Sequence, residues 1–164
     1  MNSELIVMTF RYQHKADTVL AAIRVMRKSP ILCLANVVVA TRDRAGEITV
    51  RPGQELAEVQ KERDTQLLLA LTELILRAPG PEAVRALTDR GMDGRFVSEI
   101  LRNMEDESSA LFVLARENSV HDAGETRNTL ALFRGRLHQS SVPSEVETYL
   151  LEGWTSNFAK TESR

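Results

Sequence analysis

Two apolar runs, ELIVMTF at Glu4 to Phe10 and SSALFVLARE at Ser108 to Glu117, stand far apart in the chain, and each is followed by a segment with helical spacing. In both runs the apolar residues fill both alternating sets. Ile6, Met8 and Phe10 alternate with Leu5 and Val7, and Phe112 and Leu114 alternate with Leu111 and Val113. Successive side chains of a strand point to opposite faces, so such runs belong in a sheet covered on both sides. The chain is therefore expected to be built from two similar halves around one sheet.

The segments between these runs extend the pattern. After the first run, His14 to Lys28 carries Val19, Leu20, Ile23 and Met26 at helical spacing until Ser29-Pro30 stops it. The β-rich segments CLANVVVATRD and GEITVRP, separated by Asp43 to Gly46, read as a hairpin with a short turn that Pro52-Gly53 ends. From Gln54 to about Met104 the pattern turns helical. Leu67 to Leu76 makes one helix and PGPEAVRALTDRG begins a shorter one. Phe96, Val97, Ile100, Leu101 and Met104 form the stripe of a third, with Asp93 as its N-cap. The second half repeats the plan with strand Ser108 to Arg116, a helix from about Ser119 with Ala123, Leu130 and Phe133 inward, a stop at Gly135 and a short strand RLHQSSV. Ser144 and Glu147 have capping-box spacing ahead of a last helix bearing Val146, Tyr149, Leu150 and Trp154.

Two βα units, each led by its most apolar strand, match the split βαβ or ferredoxin-like plan of the α+β class. That plan puts Leu5 to Phe10 antiparallel beside Leu111 to Ala115 at the sheet centre. Val37 to Thr41 and the hairpin strand lie on one side, and Arg136 to Ser140 on the other. Residues 1–156 form a single domain with a helical insertion at 54–104, and 157–164 are a flexible tail. The two crossover helices cover one sheet face. The other falls to the insertion, the C-terminal helix or a second subunit.

The chain of 164 residues is of single-domain size, and 43% hydrophobic with 27% charged residues marks an ordinary globular protein. The 21 Lys and Arg nearly balance 23 Asp and Glu, so no global field attracts nucleic acid or an anionic membrane. A single cysteine, Cys33, makes no internal disulfide, and no signal sequence precedes the first strand, so a cytoplasmic location is expected. The longest apolar stretch, Leu67 to Leu76, contains a glutamate and falls well short of the roughly 20 residues that span a bilayer.

No residue pattern marks a catalytic, cofactor or metal site. His14, His121 and His138 are not paired with each other or with Cys33 at ligand spacing, and His14 and His121 fall at helix starts. His138, on the last strand, is the least explained. Cys33 begins an apolar strand without nearby basic residues and reads as a small buried hydrophobe. Glu105, Asp106 and Glu107 are consecutive, point in different directions and read as a solvated turn rather than a metal site. GMDG at Gly91 to Gly94 has no phosphate-loop lysine after it and reads as another turn. Phe10 and Phe112 with Arg11 and Arg116 could suggest an RNA-stacking sheet. Aromatic content is only 5% and the neighbours are aliphatic, so core packing is the better account and no nucleic acid is expected.

The phrases SELIVMTFRYQHKADTVLAAIRVM, NVVVATRDRAGEITVRP and GMDGRFVSEILRNMEDESSALFVLARE resemble the prokaryotic domain-of-unknown-function family 1269, whose members are often described as predicted membrane proteins. The resemblance covers both flanks and implies no catalytic residue. Family members place a glycine-rich, membrane-like hairpin between the flanks, where this chain carries charged and leucine-rich helices, so a soluble insertion is expected here.

These features lead to a non-catalytic cytoplasmic protein that acts by self-association, as a homodimer or larger assembly, or by binding a protein partner. Two other readings remain. One is a small-molecule binder or small enzyme with a pocket between the sheet and the inserted helices. The other is a peripheral membrane protein that attaches through Leu67 to Leu76.

Overall fold

Both apolar runs form strands, and they pair with each other. The computed structural model describes residues 3–26, 34–52, 62–77, 81–116, 127–128 and 130–152. Its elements are β1 (Ser3–Phe10), α1 (Lys15–Met26), β2 (Leu34–Arg42), β3 (Ile48–Pro52), α2 (Glu62–Arg77), α3 (Pro81–Thr88), α4 (Gly94–Asn103), β4 (Ser108–Arg116), a 3-10 turn at Ala131–Phe133, β5 (Arg136–Val142) and α5 (residues 144–152). The strands make one antiparallel sheet in the order β3-β2-β4-β1-β5. β1 and β4 are adjacent and central, as their two-sided apolar pattern requires, with Val7 opposite Phe112 and Leu5 opposite Leu114.

Strand alternation divides the interior into two cores. Leu5, Val7, Val38, Ala40, Phe112 and Leu114 face α2, α4 and α5, where Leu67, Leu68, Leu71, Ile75, Phe96, Val97, Ile100, Val146 and Leu150 are buried against them. Ile6, Met8, Phe10, Val37, Val39, Leu111 and Val113 face the opposite way and pack on Ala16, Val19 and Leu20 of α1 and on Leu130. The second sheet face is thus covered by the chain's own insertion and last helix. The apolar stripe considered for membrane attachment lies inside the protein, with Leu69 and Leu74 half-buried. Among the described residues no helix is long and apolar enough to cross a membrane.

Local signals set most element ends. The β2–β3 hairpin turns through Asp43 to Gly46. Gly46 N donates to Asp43 O at 3.0 Å and Gly46 takes φ +84, the left-handed conformation a three-residue hairpin loop needs. Asp93 caps α4 by accepting from Arg95 N at 2.9 Å. Two expectations fail. Leu101 is exposed, because only Phe96, Val97, Ile100 and Met104 fall on the face of α4 turned to the sheet. Ser144 does not cap α5; the helix begins with it, and the carbonyl of Pro143 accepts from Val146 N and Glu147 N. The side chains of Ile23 and Met26, and residues Cys33, Ser119, His121, Ala123, Trp154 and 157–164, lie outside what is described.

Candidate functional site

The sheet order gathers three distant segments at one end of the molecule. Where β1 ends and β4 begins, the β1–α1 turn, the α4–β4 turn and the residues leading into β5 surround a cleft of about 600 Å³. It is lined by Thr9, Phe10, Arg11, Tyr12 and Lys15, by Asn103, Glu105, Asp106 and Ser108, and by Phe133, Arg134 and Arg136. The expected pocket lay between sheet and insertion. This one lies at the sheet end instead, and the inserted helices supply only Asn103.

Hydrogen bonds hold the rim in place. Ser109 Oγ donates to Tyr12 O at 2.6 Å and accepts from Ala16 N at 3.1 Å, which anchors the first turn of α1 to β4. The Arg42 guanidinium donates to Met104 O at 2.7 Å and to Gly46 O at 3.3 Å, and lies 3.6 Å from Asp106. It ties the β2–β3 turn to the α4–β4 turn. Ser108 Oγ donates to Glu105 O.

Two of the rim's backbone conformations are costly. Glu107 and Arg134 take φ 60 and 62, left-handed values that residues other than glycine rarely adopt. At Arg134 the reason is legible. The turn after Phe133 needs a left-handed residue, yet the chain's glycine comes one position later, at Gly135, where a Cβ would lie 2.4 Å from Met8 Cγ and 2.6 Å from Phe10 Cε1. Space decides where the glycine goes, and the arginine takes the strain.

The histidines do not meet. His14 is exposed at the start of α1, where its carbonyl accepts from Thr18 N at 3.3 Å. The side chain of His138 is only 7% exposed and its Nδ1 lies 3.6 Å from Glu99 Oε2 on α4. Burial lowers the imidazole pKa, against the opposing pull of Glu99. Glu105, Asp106 and Glu107 are exposed, with Asp106 facing Arg42 and Glu107 Oε1 3.7 Å from Arg44. Among the described residues no group of three His, Cys, Asp or Glu side chains is placed to hold a metal ion. Phe10 and Phe112 lie on opposite sheet faces under separate helices, so they form no shared stacking surface. Of the cleft's cations the sequence singled out only Arg11. Lys15, Arg134 and Arg136 were missed, although a basic residue soon after β1 and an Arg-Gly-Arg step into β5 are visible as a pattern.

Comparison of the chain with family models, with curated proteins and with solved structures returns no match.

Proposed function

We propose that the chain is a non-catalytic protein of the ferredoxin-like split βαβ type, kin through its flanks to the family it resembles, and that it works by self-association through the free edge of β5. The fold reading is supported by the crossovers. β1 and β2 are joined through α1 yet separated in the sheet by β4, to which both are antiparallel, and β4 and β5 are separated in the same way by β1.

The observation that carries the self-association is a difference between the two sheet edges. Asp43 N donates to Glu47 O, so by the alternation of an antiparallel ladder Ile48, Val50 and Pro52 turn their backbone groups outward on β3. The Ile48 carbonyl is taken by Arg77 Nη2 at 2.7 Å, and Pro52 has no N–H. That edge is blunted in the way natural sheets avoid pairing. β5 has no proline, and its one such bond is local, from Ser140 Oγ to the neighbouring Ser141 carbonyl at 3.0 Å. Seven residues pair regularly with β1, and no charged residue, proline or bulge interrupts Leu137 to Val142. A second copy fits this edge. Antiparallel pairing about Gln139 sets Leu137 opposite Ser141, His138 opposite Ser140 and Arg136 opposite Val142, with no like charges opposed.

Light scattering across the micromolar range tests this. A dimer mass is expected for the native chain and a monomer mass for Gln139→Lys, a side chain that keeps a partner in Glu4 Oε2, now 3.3 Å from Gln139 Nε2. A monomer mass for the native chain throughout, or a dimer indifferent to that substitution, would refute self-association through β5.

A further inference from the structure

We propose that the cleft at the end of the sheet binds a small molecule carrying a phosphate or pyrophosphate group on an aromatic body. The inference is independent of the β5 edge and rests on what converges in the cleft. A volume of about 600 Å³ is that of a small-molecule site, which typically spans roughly 300–1,000 Å³. Arg11 and Lys15 come from the β1–α1 turn and Arg134 and Arg136 from the approach to β5, so opposite ends of the sequence deliver four cations to one space. None of the four makes an ion pair with another described residue. The lining also includes two carboxylates. Asp106 already faces Arg42, which leaves Glu105 against four positive groups.

Four cations against one uncommitted carboxylate repel one another and give a concave surface a positive potential that a bound anion neutralises. Three of them are arginines, whose planar forks match phosphate oxygens in pairs. Arg134 adds a second sign that the position serves more than folding, because a glycine at its left-handed φ of 62 would be less strained. The cleft is not purely polar. Phe10 and half-buried Phe133 lie in its wall, and Tyr12, 74% exposed, stands at its rim. A planar ring can stack on Tyr12 or on an arginine plane while its phosphate meets the cations.

The full chain is titrated with ADP, pyrophosphate and adenosine, following backbone amide shifts by NMR. ADP is expected to bind saturably, more tightly than pyrophosphate, with shifts centred on residues 9–15 and 133–136, and adenosine to bind at least about tenfold more weakly. The double variant Arg134→Gln, Arg136→Gln should lose ADP affinity by about tenfold or more while its melting temperature stays near native. Arg44→Gln, which removes a highly exposed cation outside the cleft lining, should bind as the native chain does. Adenosine binding as tightly as ADP would overturn phosphate recognition. So would an absence of saturable ADP binding, or equal losses in the Arg44 and Arg134/Arg136 variants.

Discussion

His138 Nδ1 lies 3.6 Å from Glu99 Oε2, while the buried Nε2 of the same ring has no hydrogen-bond partner among the described residues. The first contact is too long for a strong hydrogen bond, so burial outweighs it and the folded-state pKa falls below the ordinary 6.5, with Arg136 adding to the shift. The folded protein then binds this proton less readily than the unfolded chain does. The stability that depends on a neutral His138 is complete above about pH 6.5 and is lost as pH falls through that value towards the lowered folded pKa. Urea unfolding followed from pH ~7.5 to ~5 should show a steeper loss for the native chain than for His138→Gln. Parallel curves would mean that the ring titrates alike in both states.

Leu71 is fully buried in the middle of α2, against the sheet face that α1 does not reach. Leu71→Ala should cost about 2–5 kcal/mol through lost contacts and the cavity left behind. Leu71→Asp should cost more, because a charge would sit among apolar neighbours without a partner. Denaturant midpoints measure both. Unchanged midpoints would place α2 outside the core.

Opposite outcomes are expected at two adjacent positions. Gly135→Ala drives a methyl into buried Met8 and Phe10 and should destabilise by about 1–3 kcal/mol. Arg134→Gly relieves a left-handed backbone and should stabilise by up to about 1 kcal/mol, while removing a cation from the cleft. Thermal unfolding of the two variants should move in opposite directions. Movement of both in the same direction would refute the division of labour between space and strain.

Arg42 holds two carbonyls on two different turns. Arg42→Met keeps the aliphatic stem but strands Met104 O, and should cost about 1–2 kcal/mol. Asp106→Asn should cost less than about 1 kcal/mol, since that carboxylate is 62% exposed and water screens the pair. Equal losses in the two variants would shift the weight from the hydrogen bonds to the ion pair.

Strand positions were legible because alternation is a local signal. β4 is carried by the apolar run Ala110 to Ala115, β5 follows directly on the stop at Gly135, and β1 is central because Leu5 and Ile6 both need cover. Asp93 was legible for the same reason, since a short acceptor before an apolar stripe satisfies the free N–H groups of a helix start. What the insertion covers was not legible. Leu67, Leu68 and Leu71 show that a helix face must be buried, but a stripe does not specify the surface that buries it. The cleft was hidden for a different reason. Arg11, Arg134 and Arg136 are ordinary surface arginines until the sheet order brings the end of β1 beside the start of β5.

Because β1 is apolar on both sides, the usual guard against mispairing is missing from its middle. Sliding β1 by one residue would exchange Leu5 and Val7 for Ile6 and Met8 at no cost in polarity, and the mismatch would fall at its ends, where Thr9 would take the place of Met8 or Phe10 and Glu4 that of Ser3 or Leu5. Alignment must then be fixed at the ends of the strand. At one end Ser109, opposite Phe10, holds the chain through Tyr12 O and Ala16 N, and at the other Glu4 accepts from Gln139 and Ser141. A few polar clasps at the perimeter thus keep two hydrophobic interiors from trading places, and Ser109→Ala combined with Glu4→Ala should loosen the pairing of a strand buried on both faces.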